Sequence, residues 1–144
     1  KCRDFCKKRK KSRHFRQRMM RALAHDMKPT NDWTKDWRYG VEPSQEEKTS
    51  EELLKIFQDF WAWANLETKS KSTRQRYSAA LHSLGGYLVE EVGKGSCGSK
   101  TTREFLMGHI DSGDGPLIHH DNEEWQNELD TVCRRLYKYL AAQC

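Results

Sequence analysis

The sequence has no long hydrophobic stretch and no recognisable targeting segment. No apolar run approaches the roughly 18 residues that a membrane-spanning helix needs, and no charged-then-apolar leader precedes a cleavage site. These absences predict a soluble protein with no membrane segment. The chain starts with Lys1 rather than Met, so we expect a fragment or a processed form of a longer protein.

Cysteine is too sparse and too irregularly spaced to form a disulfide framework. Small disulfide-stabilised secreted domains usually carry a dense, even set of cysteines. This chain has an odd number spread along its length: Cys2, Cys6, Cys97, Cys133 and Cys144. We therefore expect a reducing compartment and a cytoplasmic protein. The alternative is a secreted mature chain that has already lost its signal peptide.

Motifs for catalysis are also lacking. The sequence contains no nucleophile elbow, Walker loop or dinucleotide fingerprint, and the Gly-Lys-Gly-Ser run at 93–96 lacks phosphate-loop spacing. His119 and His120 precede acidic residues and are candidates for acid–base chemistry. Adjacent histidines point in different directions on most backbones, however, and a loop-to-helix junction favours solvated side chains. The prediction is a protein that is not an enzyme.

Metal-binding patterns are weak. Cys2 and Cys6 are four residues apart, so on a helix both thiols face one side and reach a single zinc ion. His14 lies about 12 Å further along a continuous helix and joins that ion only if the helix breaks. A structural site therefore needs two more ligands, from upstream or from distant positions such as His109, His119 or His120. Ordinary free thiols are the alternative to zinc. The run at 111–115 lacks the ligand ladder of an EF-hand and predicts a turn.

What the chain does have is aromatic bulk. Leu, Ile, Val and Phe together are scarce, but there are five Trp, five Tyr and four Met in 144 residues. A single domain of this length buries about two-thirds of its unfolded surface. The net charge of +5 is too small to indicate disorder throughout. We expect one folded, aromatic-rich domain.

Positive charge is concentrated at the beginning of the chain. Residues 1–28 contain twelve Lys or Arg and two Asp, a net charge of +10. Residues 29–144 contain 14 basic and 19 acidic residues, a net charge of −5. The overall basic balance therefore belongs to one segment attached to a mildly acidic body.

Hydrophobic spacing divides the chain into three segments. Residues 3–27 lack Gly and Pro and carry a partial apolar stripe, which predicts that residues 1–28 form a basic helical arm ended by Pro29. Residues 29–48 show no clear period and are predicted to be an aromatic-containing connection. Its Trp33, Trp37 and Tyr39 either anchor the connection on the core or form a stacking platform for bases.

Residues 49–144 are predicted to form a helical bundle. Capping-box pairs at Thr49–Glu52, Ser72–Gln75 and Thr101–Glu104 predict three helix starts, and Asp121 or Asn122 caps a fourth. Apolar residues then recur at helical spacing, and Trp61 and Trp63 widen the apolar face of the first helix. The Gly85-Gly86 pair marks a weak point or a close approach of another helix. The fold class is all-α, a bundle of four to five helices with a basic N-terminal helical arm.

Nucleic-acid binding is the positive functional indication. A dense basic arm releases counterions from phosphates and gains affinity without a fixed structure. A second cluster surrounds a predicted helix start, where backbone N–H groups also suit a phosphate, and a third lies on the last helix together with Lys138. The candidate contacts are Lys7, Lys8, Arg9, Lys10, Lys11, Arg13, Arg16, Arg18, Lys69, Lys71, Thr73, Arg74, Arg76, Arg134 and Arg135. A solvated terminal charge run is the alternative explanation of the arm.

Residues 49–92 resemble a known DNA-binding module. The run Thr-Ser-Glu-Glu-Leu-Leu, then Lys-Ser-Thr-Arg-Gln-Arg-Tyr-Ser-Ala-Ala-Leu-His-Ser-Leu with Tyr87-Leu88, is similar to the first two helices of the SAM-like core-binding domain of tyrosine recombinases. Residues 129–140 are similar in character to that domain's last helix. The resemblance implies that Lys69, Lys71, Thr73, Arg74 and Arg76 face DNA. The recombinase active site belongs to a separate domain, and no His here is followed three residues later by Arg, so no recombinase activity is implied.

Taken together, these features predict a non-catalytic DNA-binding module without a cofactor, in which the arm tracks the duplex and the 69–76 cluster sets orientation. One alternative is a protein-interaction or scaffold domain whose arm docks on an acidic partner surface. Another is a small zinc-stabilised regulatory protein that uses Cys2 and Cys6.

Overall fold

The computed structural model describes residues 28–143, and the part of the chain that it describes is all helical. Five α-helices follow one another, and no strand occurs among these residues. They are α1 (Asn31–Trp37), α2 (Pro43–Trp63), α3 (Lys71–Gly93), α4 (Thr102–Ile110) and α5 (Glu123–Ala142), with a 3-10 turn at Leu66–Thr68. The predicted all-α bundle of four to five helices is confirmed. The predicted arm helix lies outside the described residues.

The core forms where α2, α3 and α5 meet, and α1 and α4 pack on this trio. Each long helix supplies an apolar stripe at the predicted spacing. Its fully buried members include Leu53, Phe57 and Phe60 on α2, Leu81, Leu84 and Leu88 on α3, and Leu129, Leu136 and Leu140 on α5. Burying such a side chain contributes about 1.5–3 kcal/mol. One expectation fails: Trp63, predicted to widen the apolar face of α2, is 48% exposed.

The connection predicted at residues 29–48 is largely helical. It contains α1, and α2 begins at Pro43 rather than at the predicted capping box. Thr49 lies in the second turn of α2 and is buried. Proline suits the first helical position because its missing N–H needs no partner there. Position 49 is therefore not a helix start, and the helical bundle extends further towards the N-terminus than predicted.

Helix α1 is fixed by two tryptophans four residues apart. Trp33 and Trp37 are 2% and 0% exposed, so the core-anchoring alternative holds for them and neither ring is open for stacking. The Trp37 indole N–H donates to the His82 carbonyl oxygen at 2.9 Å. A Cβ at Gly85 would overlap the Trp37 ring. The expected close approach at this glycine is thus confirmed, and it explains why α3 has no side chain there.

A buried carboxylate organises the turn between α1 and α2. Glu46 is 0% exposed, and its two carboxylate oxygens accept the backbone N–H groups of Tyr39 at 2.6 Å, Gly40 at 3.1 Å and Glu42 at 2.6 Å. Burial by itself raises the pKa of Glu46, but hydrogen bonds from these groups and from the Val41 N–H together lower the pKa by more. The folded turn therefore stabilises the charged form of Glu46.

Side-chain caps set the starts of the later helices. Thr101 accepts the Glu104 N–H and Asn122 accepts the Trp125 N–H, as two of the predicted caps require. The capping box predicted at Ser72 is wrong, because Ser70 is the cap of α3. Ser70 and Ser72 both have a hydroxyl group that could cap a helix. Ser70 has the extended backbone that is typical of a cap residue, so it takes this position.

Two cysteines fall within the described residues, and both are free thiols. Cys133 is fully buried in the core. Burial, with smaller contributions from Asp130 and Asp114, raises the pKa of its thiol to about 12. Across residues 28–143, moreover, no helix combines the length and apolar character required to cross a membrane.

Candidate nucleic-acid interface

Many of the predicted contact residues lie outside the described part of the chain. These are the arm residues Lys7, Lys8, Arg9, Lys10, Lys11, Arg13, Arg16 and Arg18, together with the proposed metal ligands Cys2 and Cys6. The other predicted contacts are placed by the structure, at the start of α3 and on α5.

The start of α3 is a well-capped helix N-terminus. Ser70 Oγ accepts the Thr73 N–H at 3.2 Å and donates its own hydrogen to Thr73 Oγ1 at 3.0 Å. The next N–H, that of Arg74, donates to the Ser70 carbonyl oxygen. Both hydrogen bonds of the cap are made with Thr73, so this residue stabilises the helix start. The exposed charge at the helix start belongs to the neighbouring Lys and Arg residues.

Three cations project from this helix start. Lys69, Lys71 and Arg76 are all exposed. The Arg76 guanidinium lies 3.6 Å from a carboxylate oxygen of Glu128 on α5. Arg74 is half-buried, and its Nε has no hydrogen-bond partner among the described residues. The predicted members of the cationic cluster thus lie at the start of α3, and they differ in how exposed their charge is.

A carboxylate links this cluster to the end of the basic arm. Glu67 Oε1 accepts the Trp61 indole N–H at 2.8 Å and lies 3.2 Å from Lys28 Nζ. The Trp61 N–H first, and then Lys28 and Arg74, lower the pKa of Glu67 against the opposing effect of burial. Pro29 is buried beside them, and its carbonyl oxygen accepts from the Gln58 side-chain amide at 3.1 Å. Residues 28 and 29 are thus held next to the linker that leads into α3.

The cationic patch predicted on α5 is divided by the structure. Arg134 turns towards the 111–116 segment, where its guanidinium lies 3.7 Å from Asp114. Arg135 turns towards α3, where it donates to the Tyr77 hydroxyl at 3.1 Å and lies over the Tyr77 ring at 5.8 Å. Of these two arginines, Arg135 therefore contacts α3 and Arg134 does not, and Lys138 is exposed one turn further along α5.

An aromatic row beside this cluster was not predicted. The rings of Trp63, Phe60 and Tyr77 follow one another at centroid distances of 6.1 and 6.2 Å, with interplanar angles of 26° and 28°. Arg135 covers the Tyr77 end. The sequence pattern predicts Trp63 on the apolar face of α2 and so gives no sign of an exposed ring.

The other candidate sites are not assembled among the described residues. His119 is buried against Trp125, with ring centroids 5.6 Å apart, whereas His120 is exposed. The two therefore point in different directions as expected, although His119 is not solvated. His109 lies on α4, where its Nδ1 is 2.9 Å from the Phe105 carbonyl oxygen. Within residues 28–143, no three His, Cys, Asp or Glu side chains are grouped to hold a metal ion.

The 111–116 run is a turn, as predicted, and it is held by α5. Asp130 accepts the Gly115 N–H at 2.9 Å, and the Gln126 side-chain amide donates to the Pro116 carbonyl oxygen at 3.1 Å. Side chains of α5 therefore hold the backbone of this turn in place.

No family model, curated protein or solved structure matches this chain significantly. The resemblance of residues 49–92 to a recombinase core-binding domain therefore stays a prediction.

Proposed function

We propose that this protein is a non-catalytic nucleic-acid-binding module that holds DNA through its phosphates. The observation that carries the proposal is the Lys28–Glu67 contact. It places the end of the segment with a net charge of +10 beside Lys69 and Lys71. The last residue of the basic segment is therefore held at the linker that leads into the second basic element.

The α3 cluster provides the fixed part of the proposed interface. Lys69, Lys71 and Arg76 carry exposed charge at a helix start, where the helix dipole also favours an anion. Each phosphate that they neutralise releases counterions, which favours binding irrespective of sequence. The core-binding resemblance also assigns Thr73 and Arg74 to DNA. Thr73 takes part in the Ser70 cap of the helix, and the charge of Arg74 acts on Glu67.

The arm provides the larger share of the charge. In the proposal, its Lys and Arg side chains follow the phosphate backbone after the α3 cluster has set the orientation. Contacts of this kind position a protein on nucleic acid but carry no base information by themselves. The proposed activity is accordingly binding with a strong salt dependence.

Fluorescence anisotropy of a labelled duplex, titrated over several salt concentrations, tests the proposal with the full chain. One variant carries glutamine at Lys69 and Lys71, and a second carries glutamine at positions 7–11. The matched control carries glutamine at Lys94 and Lys100, two exposed lysines beyond the opposite end of α3. Each lost phosphate contact is expected to flatten the log–log salt slope by about 0.9.

The proposal requires both basic variants to weaken binding and to flatten the slope, while the control leaves them unchanged. An equal effect of the control variant would mean that only net charge matters, and the interface assigned here would be wrong. Absence of duplex binding, combined with saturable binding to an acidic protein, would instead favour the scaffold alternative. Stoichiometric zinc that is lost when Cys2 and Cys6 become Ser would favour the regulatory alternative.

A further inference from the structure

The aromatic row ends at the surface of the molecule. Trp63 is 48% exposed, whereas Phe60, next in the row, is completely buried. Tyr139 lies against Trp63 at a centroid distance of 5.2 Å and is itself only 5% exposed. The inner side of the Trp63 ring is therefore supported by a rigid core, and its remaining surface is open.

Two cationic side chains lie on α5, the helix that contacts Trp63 at one end of the row and Tyr77 at the other. Arg135 covers Tyr77 at the other end of the row. Lys138 is exposed and directly precedes Tyr139, which touches Trp63. A half-exposed indole, on a chain whose first 28 residues carry a net charge of +10, suits a ligand that is planar, aromatic and attached to negative charge. An unpaired base on a phosphate backbone has all three properties.

We propose that Trp63 stacks with an unpaired base of single-stranded nucleic acid, so that the base continues the row formed by Trp63, Phe60 and Tyr77. This inference deepens the proposed function and rests on it. In an intact duplex the base faces are already stacked on their neighbours, and Trp63 cannot take their place. The aromatic row therefore favours a single strand or a locally opened duplex over a closed one.

Support from the core makes Trp63 an effective stacking surface. Its ring is held by Phe60 and Tyr139 before any ligand arrives, so little side-chain freedom is lost on binding. Stacking between a base and an aromatic ring also tolerates any base, because every base has a π face. The expected preference is thus for unpaired bases in general.

The test compares a short oligothymidylate with an abasic strand of the same length, which carries the phosphates but no bases. We expect the full chain to bind the oligothymidylate about tenfold more tightly, within the range typical of loss of one base–aromatic stack. Trp63→Leu is expected to remove this difference, and Trp63→Tyr to keep most of it. Tyr39→Leu, at an exposed aromatic on the α1–α2 turn, is the control and should change nothing.

A measurement on the unaltered chain guards against a folding defect in the variants. Trp63 is the most exposed of the tryptophans on α2, and its indole N–H resonance, identified with Trp63→Phe, is expected to shift on addition of oligothymidylate but not of the abasic strand. The resonances of buried Trp33 and Trp37 should stay in place.

The outcomes separate this inference from the proposed function. Equal binding of the two strands, or an unshifted Trp63 resonance, overturns the stacking inference while leaving phosphate binding intact. If neither strand nor duplex binds at low salt, both the inference and the proposed function are wrong. A base-dependent preference that persists in Trp63→Leu also overturns the inference, because the stacking surface would then lie elsewhere.

Discussion

Glu46 shows how a single side chain can hold an irregular segment. The turn between α1 and α2 has several backbone N–H groups that the helices cannot satisfy, and three of them converge on this carboxylate. A charged acceptor makes stronger hydrogen bonds than a neutral one. The buried carboxylate thus receives the hydrogen bonds it needs, and the backbone N–H groups of the turn receive an acceptor.

Glu46→Gln is expected to destabilise the protein by about 1–3 kcal/mol, because an amide N–H group would face a backbone donor in place of an oxygen. Denaturant unfolding at neutral pH measures this loss. Glu47→Gln, at an exposed neighbour, serves as the control and should change the free energy of unfolding far less. Equal stabilities of the two variants would contradict the role given to Glu46.

The same residue predicts a pH dependence. The folded protein lowers the pKa of Glu46 below its ordinary value of 4.5, so the unfolded chain binds the proton more readily. The stabilisation from the charged form is complete above that ordinary value and is lost as pH falls through the lower folded-state pKa. The stability gap between the natural protein and Glu46→Gln should therefore narrow in acid, and a gap that widens would refute this.

Between elements, the contact of α3 with α5 combines charges of both signs. Glu128 is partly exposed and lies beside Arg76, which belongs to the proposed phosphate surface. It also lines a shallow groove on α5 together with Glu123 and Glu124. An exposed pair of this kind contributes only about 0–1 kcal/mol to stability. The larger effect of Glu128 is on binding, because its negative charge repels an approaching phosphate.

Glu128→Gln is accordingly expected to tighten duplex binding a few-fold at low salt while leaving thermal stability nearly unchanged. Anisotropy titration measures the first effect and circular dichroism the second. Glu51→Gln, on an exposed position of α2 about three turns before its end, is the control. Weaker binding in Glu128→Gln would show that Glu128 positions Arg76 for the ligand rather than competing with it.

Helices were predictable from the sequence where apolar spacing was sustained. The stripes of α3 and α5, and caps such as Thr101, follow from local chemistry. By contrast, α1 has only seven residues, and its two tryptophans four apart were the only local sign of a buried helical face. It is held by tertiary contacts, among them two hydrogen bonds to His82 more than 40 positions away, which no local pattern contains.

The candidate site was predictable in composition but not in arrangement. Lys69, Lys71 and Arg76 were identified because charged residues gathered at a helix start. The opposite directions of Arg134 and Arg135 depend on what α5 packs against, and so does the exposure of Trp63. Side-chain direction and exposure at these positions are tertiary properties, and sequence spacing alone does not predict them.

At the scale of the whole molecule, charge and apolar burial are distributed differently. Residues 29–144 carry a net charge of −5, yet the described basic groups near Lys28, Lys69 and Lys71 lie together at one end of α3. The core, in contrast, runs through all five described helices. The fold therefore supports a local basic region that has carboxylates, Glu67 and Glu128, in contact with it.

The notch in α3 that receives Trp37 also constrains the order in which the chain gains its structure. A helix of seven residues is too short to persist alone in water, and the site for Trp37 exists only once α3 has formed around Gly85. We therefore expect α1 to dock late, after the folding transition state. Gly85→Ala should then accelerate unfolding, at a cost of about 1–3 kcal/mol from overpacking, and leave the refolding rate almost unchanged.

Stopped-flow unfolding and refolding measure both rates. Gly108→Ala, on α4 where an added Cβ meets nothing within 4 Å, should instead stabilise its helix by up to about 1 kcal/mol. A refolding rate that falls in Gly85→Ala would place α1 in the folding nucleus. Late docking would make α1 the first described helix to detach when the native protein opens, so the lifetime of the folded state would depend on seven residues at its edge.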